Sequence, residues 1–502
     1  MITISRDHHA AESRQFDLII IGAGVYGVAL ALVSAEAGHS CLLLDQKDFG
    51  WATSYNSLRT VHGGLRYLQK MDLPRFFESV GERRWFMQRF PGLVTPLPCL
   101  MPLYGNGMYR PAVFRIALTL NDLLSMHRNR GLDQEQRLPA GRVLKPEEVI
   151  RLFPSVNRKG LKGGALWHDG GMPSSQLVIM EMLAQACQTG ARALNYTRVT
   201  GLIRENNLVR GVEAVDTESG QHYRFRADRV INAAGPWCRE LAKNFDRDDP
   251  ALFRYSIAWN ILFNRPALST HSLAIKPNLP DARMYFLHGW HGLIMGGTIH
   301  EPWPGISETP MPEQESVQRY LDHLNHAVPG LELTTNDILH IYSGLLPVKK
   351  QGGNTLTVRE VIKDHGANGG PSGLYTVSGI KFTTARKVAQ KTLKIIFPGN
   401  KPVQHRDMGD CSFTRPGRFA WDWRPHEHDR SWRQQIESII QSQSVVHLDD
   451  LVLRRTTIGD NPARALRAAP ALARLFGWNT DREQREIELL RDYFQRRNSR
   501  HY

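Results

Sequence analysis

The feature that most constrains the fold is a glycine-rich turn between an apolar strand and a helix near the N-terminus. Residues 16–21 read F-D-L-I-I-I, and residues 22–27 fit the pattern G-x-G-x-x-G. An Ala- and Leu-rich stretch then predicts a helix that ends before Gly38, and a second apolar run ends at Asp45. Strand, glycines, helix, strand and acid in this order predict an α/β fold that begins with a dinucleotide-binding βαβ unit.

The residue types of this unit favour a particular kind of ligand. Glycines let the backbone turn tightly and let a pyrophosphate approach the helix N-terminus, where free N–H groups and the positive end of the helix dipole favour an anion. Asp45 follows Gly27 at the spacing at which the second strand presents a carboxylate to a ribose hydroxyl. An acid at this position favours FAD or NAD over NADP.

Three further segments favour FAD over NAD. Residues 48–67 are rich in hydroxyl groups and then in glycine, as expected of a loop laid along an extended cofactor. Residues 229–237 predict another strand, later in the chain, that ends in small residues. Residues 374–385 predict a strand, a glycine turn and a helix start whose N–H groups could face the electron-rich edge of a reduced flavin.

The net charge of +14 does not identify the class of partner by itself. It is compatible with nucleic acid, an anionic membrane surface or an anionic small molecule. No helix-turn-helix, zinc-finger or RNP pattern is present in the sequence, so we expect no nucleic-acid partner. Residues 110–130 place apolar side chains at helical spacing among basic ones, which is typical either of an interfacial helix or of a core helix with basic ends.

Other sequence features indicate a reducing compartment and no metal. The five cysteines are scattered and never form C-x-x-C, which argues against a disulfide framework or a zinc site. The uncharged stretch 18–35 contains three glycines and lacks the flanks of a signal peptide. We therefore expect a cytoplasmic protein, with possible peripheral attachment to the inner face of the cytoplasmic membrane. Two histidine groupings, His8-His9 and the set His288, His291 and His300, are predicted to bind no metal.

Taken together, these segments resemble the flavin-dependent glycerol-3-phosphate dehydrogenase family, within the D-amino-acid-oxidase-like group of FAD oxidoreductases. Residues 52–67, A-T-S-Y-N-S-L-R-T-V-H-G-G-L-R-Y, are similar to the family's A-T-S-S-x-S-S-K-L-I-H-G-G-L-R-Y. Residues 379–387 resemble G-K-L-T-T-x-R-K, and residues 450–456 resemble D-x-L-x-R-R-T with Val452 in place of a leucine.

The resemblance implies an FAD-binding Rossmann-like domain of the D-amino-acid-oxidase type, an interleaved antiparallel-sheet substrate domain and a C-terminal helical domain. After a disordered leader over residues 1–15, the oxidoreductase core would span residues 16–400, and the helical domain residues 403–502. The FAD-binding segments would be about 16–100, 165–240 and 355–400. Residues 193–215 independently predict meander hairpins.

The resemblance also implies the site residues. Substrate-contacting and catalytic positions match His62, Arg66, Tyr67, Arg359 and Lys381, with His62, Lys381 and Tyr67 as candidates for the base and Arg59 replacing a lysine. Each has a simpler alternative, since His62 could shape the loop, Arg66 could form a salt bridge and Arg359 could be solvated. The positions expected to bind FAD are Gly22, Gly24, Tyr26, Gly27, Asp45, Gln46, Thr53, Ser54, Ser57, His62, Gly63, Gly64, Val199, Ala234, Gly235, Gly379, Lys381, Phe382 and Thr383.

Two positions depart from the family pattern. The family's S-G-x-R-P reads S-G-L-L-P at residues 343–347, so that Leu346 stands where an arginine is expected. The family's histidine of K-G-x-H matches Ile257 or Asn260, depending on the alignment. Lys349 and Lys350 could supply the missing charge.

The expected activity is oxidation of glycerol 3-phosphate, or of a related anionic alcohol, with electrons passing to a quinone or another acceptor. The departures leave open an oxidase or dehydrogenase of a different hydroxy or amino acid. The expected partners are a small anionic substrate, an electron acceptor, an anionic membrane surface and a second copy of the chain in a homodimer.

Overall fold

The computed structural model describes residues 3–105, 107–279, 282–353, 355–399, 419–426 and 429–498. Its strands, in chain order, are β1 (Gln15–Phe16), β2 (Leu18–Ile21), β3 (Cys41–Leu44), β4 (Thr60–Val61), β5 (Thr95–Leu103), β6 (Arg142–Leu144), β7 (Gly163–Gly171), β8 (Arg192–Leu194), β9 (Thr197–Glu205), β10 (Leu208–Asp216), β11 (His222–Ala227), β12 (Val230–Asn232), β13 (Tyr255–Pro266), β14 (Ser272–Ile275), β15 (Tyr285–Trp290), β16 (Leu293–Pro302), β17 (Ile338–Pro347), β18 (Val361–Asp364) and β19 (Leu374–Ser378).

The helices alternate with these strands in the first part of the chain and follow them in the last. They are α1 (His8–Glu12), α2 (Val25–Glu36), α3 (Leu65–Leu68), α4 (Leu73–Arg89), α5 (Pro111–Leu124), α6 (Pro146–Leu152), α7 (Ser175–Gln188), α8 (Cys238–Phe245), α9 (Gln314–Ala327), α10 (Ala385–Ile396), α11 (Arg430–Ser442), α12 (Pro462–Ala473) and α13 (Thr480–Gln495). A π-helical segment, Asp450–Arg455, lies between α11 and α12.

A six-stranded sheet of order β18-β19-β12-β2-β3-β8 forms the first layer, and its strands are parallel except for β18. Helices α2, α7 and α10 pack on one face, and the small sheet β1-β11-β10-β9 covers the other. Because both faces are covered, β2 and β3 are buried at every position, which explains their uninterrupted apolar sequence. The predicted hairpin over residues 193–215 is confirmed by the antiparallel pairing of β9 with β10.

A mainly antiparallel sheet of order β17-β13-β16-β15-β14-β5-β7-β4 forms the second layer. Successive residues of a strand point to opposite faces, and β13 shows the consequence. Ile257 and Trp259 pack in the core that includes α9, whereas Ala258 and Asn260 face a cavity between the two large sheets. The alternation therefore separates a core face from a functional face.

The expectation of a disordered leader over residues 1–15 is wrong for the described part, residues 3–15. The carboxylate of Asp7 caps α1 by accepting a hydrogen bond from Ala10, and Ile4 is buried with its N–H donating to Ser442. Arg6 pairs with Asp216 of β10. The segment is ordered because it joins the C-terminal helices to the small sheet, a tertiary contact that local sequence does not reveal.

The C-terminal helices pack against aromatic residues of the second sheet and of the loop after β3. Tyr55, Trp290 and Tyr342 share a buried cluster with side chains of α11, α12 and α13. Residues 403–418 of the predicted helical domain lie outside the described residues.

Helix α5 is packed on one side only. Phe114 and Leu118 are buried, and the opposite side exposes the apolar side chains of Ile116, Leu120 and Leu123. Across the described part of the chain, none of the helices combines the length and the apolar character needed to cross a bilayer.

Candidate active site

A cavity of about 610 Å³ runs from the carboxyl ends of the parallel strands to the functional face of the second sheet. It gathers many positions that the sequence singled out, although they are distributed over more than 350 residues of chain. The predicted residues that line it are Gly22, Gly24, Tyr26, Asp45, Gln46, Thr53, Ser54, Ser57, His62, Val199, Ala234, Gly235, Gly379, Lys381, Phe382 and Thr383.

The glycine turn is shaped as phosphate binding requires. Gly22 has φ +99°, in the region that favours glycine, and a Cβ on Gly27 would lie 1.7 Å from the carbonyl oxygen of Gly22. Gly27 does not line the cavity, and its role is to let α2 approach the turn. At the start of α2, the N–H of Val25 donates to Ser54 Oγ at 3.0 Å.

Asp45 is held at the end of β3 with its carboxylate inside the cavity lining. It accepts hydrogen bonds from the N–H of Ala23 at 2.6 Å, the N–H of Lys47 at 2.9 Å and Trp51 Nε1 at 3.2 Å. Burial raises the pKa of Asp45 to about 6. A glycine turn at a helix N-terminus beside a fixed carboxylate fits the pyrophosphate and ribose of a dinucleotide.

Tyr26 connects the start of α2 to the turn before α10. Its hydroxyl accepts from the N–H groups of Ile380 at 3.0 Å and Lys381 at 3.2 Å, and donates to the carbonyl of Lys381 at 2.9 Å. A Cβ on Gly379 would lie 1.8 Å from the Tyr26 ring, so this turn needs glycine for the close approach. The turn before α10 is thus tied to the first helix of the chain.

His62, Tyr67 and Lys381 lie together at this turn. Lys381 Nζ donates a hydrogen bond to the Tyr67 hydroxyl and lies 4.2 Å from the centre of the Tyr67 ring, and the rings of His62 and Tyr67 are 5.9 Å apart. Burial, followed by the charge of Lys381, lowers the pKa of His62 to about 4. His62 is therefore neutral near pH 7 and able to accept a proton.

The loop that carries His62 is positioned by a residue that sequence reasoning missed. Asp169 accepts hydrogen bonds from the N–H of Gly63 at 2.5 Å, Arg83 Nη1 at 2.8 Å and Trp167 Nε1 at 3.0 Å. A Cβ on Gly63 would lie 2.0 Å from Arg83 Nη1, so only glycine fits here. Gly63 and Gly64 thus shape the loop without lining the cavity. Asp169 is 106 residues from Gly63 in the sequence, so only their contact in the folded protein identifies Asp169 as the residue that positions this loop.

Arg66 and Arg359 do not line the cavity. Both are exposed, Arg66 on α3 and Arg359 in the segment before β18. Arg66 lies near His300, whose pKa is lowered to about 4 by burial and then by the charges of Arg283 and Arg66. Of the five candidate catalytic residues, His62 and Lys381 line the cavity and Tyr67 contacts Lys381.

Arg59 lines the cavity, and aromatic rings surround its guanidinium. Its guanidinium lies 4.6 Å from the Trp290 ring centre and 5.0 Å from that of Tyr342. Nη1 donates to the carbonyl of Pro173 and to Gln176 Oε1, both at 3.1 Å. Its side chain is 4 % exposed, and its buried Nε and Nη2 atoms have no hydrogen-bond partner among the described residues, so a role of this arginine in binding an anion stays a prediction.

The two departures from the family pattern meet at the substrate end of the cavity. Leu346 lines it, and so does Asn260, whose Oδ1 accepts from Thr298 Oγ1 at 2.7 Å. Ile257 faces the core on the opposite side of β13. Asn260 is therefore the residue at the cavity, whose lining includes the cationic side chains of Arg59 and Lys381.

The histidines that suggested a metal check have separate partners. His288 Nε2 lies 3.2 Å from Thr60 Oγ1, and His291 Nε2 lies 3.1 Å from Asp460 Oδ2. Among the described residues, no group of three or more metal-ligating side chains could hold a metal ion.

A dinucleotide cradle joined to a proton acceptor within one cavity defines the class of redox enzymes that bind an extended cofactor. The family model described as "DAO: FAD dependent oxidoreductase" matches residues 17–390, and the chain belongs to that family. The predicted family, the α/β fold class and FAD as the cofactor are thereby confirmed.

Named relatives agree with this assignment. The chain is 29 % identical over 408 residues to "Glycerol-3-phosphate dehydrogenase" of Synechocystis, covering 78 % of this chain and 72 % of the relative. It is 28 % identical over 398 residues to "Aerobic glycerol-3-phosphate dehydrogenase" of Staphylococcus aureus, covering 78 % and 69 %.

A solved structure supports the fold over almost the whole chain. The glycerol-3-phosphate dehydrogenase from Bacillus halodurans complexed with FAD superposes with a TM-score of 0.71 at 20 % identity, covering 97 % of this chain and 96 % of that one. The chain is thus an FAD-dependent oxidoreductase similar to glycerol-3-phosphate dehydrogenases.

Proposed function

We propose that this protein is a dehydrogenase that oxidises glycerol 3-phosphate to dihydroxyacetone phosphate, or a related anionic alcohol, and passes the electrons to a quinone. The observation that carries the proposal is the position of His62, partly buried and neutral near pH 7, beside Lys381 and Tyr67 at one end of the cavity. The names of the relatives support the substrate class.

FAD is held, in this proposal, by the predicted residues that line the cavity together with Gly27, Gly63 and Gly64, which shape its turns. Asp45 would hold the ribose hydroxyls, and the glycine turn at the start of α2 would hold the pyrophosphate. When bound, the flavin supplies the hydride acceptor. The protein's own residues bind and orient the substrate and move its hydroxyl proton.

The proton step falls to His62. A base must be unprotonated at the working pH and within reach of the substrate hydroxyl, and the lowered pKa of His62 meets the first condition. The ammonium group of Lys381, held by the Tyr67 hydroxyl, attracts the anionic substrate and stabilises the developing alkoxide. Arg66 and Arg359 act in this scheme from outside the cavity lining, by attracting anions to its entrance.

A second candidate is an oxidase or dehydrogenase of a different hydroxy or amino acid. Leu346 and Asn260 favour it, because both line the substrate end and neither carries the charge that the family pattern provides. In this alternative, oxygen replaces the quinone as acceptor if the enzyme is an oxidase.

Anaerobic flavin reduction tests both candidates. Holoenzyme is mixed with glycerol 3-phosphate, glycerol, glycerate and small amino acids while the visible flavin absorbance is followed. Bleaching by glycerol 3-phosphate, with no peroxide on admission of oxygen and rapid reoxidation by a soluble quinone, is the expected result. Bleaching by an amino or hydroxy acid alone, with stoichiometric peroxide, would favour the second candidate.

We also propose that α5 attaches the protein to an anionic membrane surface. Ile116 and Leu123 are 71 % and 59 % exposed, and Met126 extends the apolar stripe beyond the helix. Exposed Arg115 and Arg130 flank the stripe, as interfacial helices require. In this proposal the enzyme works on the inner face of the cytoplasmic membrane, near a quinone pool. The homodimer stays a prediction.

Vesicle flotation tests the attachment. Protein is mixed with vesicles containing about 30 % anionic lipid or with purely zwitterionic vesicles. We expect flotation with the anionic vesicles at low salt and its loss in Ile116→Ser/Leu123→Ser. A matched control, Leu208→Ser on the exposed start of β10, should float like the wild type. Equal flotation of all three proteins would refute the role of α5.

A further inference from the structure

A second cavity, of about 570 Å³, lies on the far side of the substrate sheet, between the end of β16 and α9. Its walls combine apolar side chains such as Ile299 and Trp303 with the charged side chains of Arg283, Glu301 and Arg319. Neither the family pattern nor the proposed chemistry assigns a role to this side cavity.

The side cavity and the FAD cavity meet at His300, which lines both. The pairing register of β15 with β16 shows where His300 lies in the sheet. The pairing of β15 with β16 runs from Trp290↔Leu293 to Phe286↔Gly297, so β16 has no β15 partner beyond Thr298. His300 therefore lies past the end of this pairing, where both cavities reach the same residue.

His300 itself has unused hydrogen-bonding capacity. Its Nδ1 atom is buried without a hydrogen-bond partner, while its carbonyl oxygen accepts from Arg283 Nη1 at 3.4 Å. A buried polar atom left unpaired is costly unless a ligand or water satisfies it. The junction is therefore suited to a polar group that passes from one cavity to the other.

The charges around the junction favour an acid. Arg319 lies 3.7 Å from Glu301, and Glu301 also accepts from Trp259 Nε1 at 3.2 Å, so these charges balance each other. Arg283 forms no ion pair within the described residues, and Glu313, at the start of α9, is exposed. Arg283 thus keeps its positive charge for a ligand.

We propose that the side cavity receives the acidic end of an extended substrate, with Arg283 as its cationic partner and His300 at the junction. This inference rests on the proposed function and narrows the substrate class. The substrate is a hydroxy compound whose phosphate or carboxylate lies farther from the reacting carbon than in glycerol 3-phosphate. Leu346 leaves the near position without a guanidinium, and Arg283 provides one at the far position.

The proposal makes Arg283 a residue that determines specificity. Among the described residues, Arg283 forms no hydrogen bond or ion pair with His62 or Lys381. Its removal should therefore weaken the binding of acidic substrates without changing the proton step. A neutral substrate of the same length should be unaffected, because it presents no charge to the guanidinium.

The test uses holoenzyme, Arg283→Gln, the charge-retaining Arg283→Lys, and Arg224→Gln as a matched control. Arg224 is an exposed arginine of β11 whose partner is Glu213. Terminal phosphates and carboxylates of three- to six-carbon hydroxy compounds, with their neutral counterparts, are titrated anaerobically. Flavin bleaching gives rate constants, and perturbation of the visible flavin spectrum by non-reducing acids gives dissociation constants.

We expect the wild type and Arg224→Gln to bind four- to six-carbon acids more tightly than glycerol 3-phosphate. Arg283→Gln should weaken their binding at least tenfold, Arg283→Lys by a few fold, and neither should affect the neutral compounds. Equal losses for acidic and neutral compounds, or identical behaviour of Arg283→Gln and Arg224→Gln, would overturn the inference. If the acids bind as expected but no compound bleaches the wild-type flavin, the proposed function fails and the subsite stands.

Discussion

A buried ion cluster joins the adenosine end of the FAD cavity to the C-terminal helices. Asp48, three residues after Asp45, accepts hydrogen bonds from Arg455 Nη1 and Nη2, both at 2.7 Å, and from Arg454 Nε at 2.5 Å. The side chains of Asp48 and Arg455 are fully buried. The D-x-x-x-R-R sequence of the π-helical segment is therefore an anchor between distant parts of the chain.

Replacing Arg455 by methionine should lower the free energy of unfolding by about 3–5 kcal/mol, the usual cost of removing one partner of a buried pair. Arg454 still partly compensates Asp48, which favours the lower end of this range. Two charged hydrogen bonds to Asp48 and the bond from Arg455 Nε to the Gln443 carbonyl are lost together. FAD should also be released more readily, because Asp48 belongs to the loop that carries Asp45.

Two carboxyl groups of the cluster, Asp48 and Asp450, set the pH dependence. Burial opposes the ionisation of Asp48, but Arg455 and Arg454 hold its pKa well below the usual range. Stability from a carboxyl with a lowered pKa is present above its unfolded value of about 4 and is lost as the pH falls below it. Asp48 alone would make the loss in Arg455→Met constant between pH 5 and 8. Burial raises the pKa of Asp450 to about 7 and Arg455 favours its ionised form, so the loss should grow as the pH rises through this range.

Urea unfolding followed by far-UV circular dichroism, with flavin fluorescence from the same samples, measures both effects. The double variant Asp48→Leu/Arg455→Met should recover most of the loss, because it leaves no uncompensated buried charge. Arg482→Met is the control, since its pair with Glu486 at 3.8 Å is half exposed and should contribute less than about 1 kcal/mol. A loss below about 1 kcal/mol in Arg455→Met, or a double variant no more stable than the single one, would refute the reasoning.

Three further predictions concern the site. His62→Gln should slow anaerobic flavin reduction by roughly a hundredfold or more, with FAD retained. The rate constant of the wild type should not change from pH 8 down to about 5.5, because the pKa of His62 is lowered to about 4. A fall of this rate constant near pH 6.5 would contradict the prediction. Leu346→Arg should tighten glycerol 3-phosphate binding by roughly tenfold to a hundredfold, the value of one charged hydrogen bond, in titrations of flavin bleaching; equal tightening for neutral glycerol would exclude a charge effect. Asp169→Asn should lower both the melting temperature and the rate of flavin reduction, because Arg83 loses its buried ion-pair partner and the loop that carries His62 loses its anchor. An unchanged melting temperature and an unchanged stopped-flow rate would show that the loop keeps its conformation without Asp169.

The sequence by itself determined the features that depend on local spacing. The glycine turn, the helix after it and Asp45 belong to one short segment, and glycine is required there by a positive φ and a close approach that are set within that segment. The hairpin of β9 and β10 was predictable for the same reason, since its strands are neighbours in sequence. FAD followed from these local patterns together with the family resemblance.

Only the tertiary structure decided which distant residues meet. The alternation of β13, seen in its packing, placed Asn260 rather than Ile257 at the cavity, and the aromatic rings of Trp290 and Tyr342 hold Arg59 at the cavity wall. Asp169 and the ordered N-terminal segment depend on partners more than a hundred residues away, which no local pattern reports. Spacing along the chain specifies backbone geometry, whereas burial and charge pairing depend on which surfaces the packed sheets bring together.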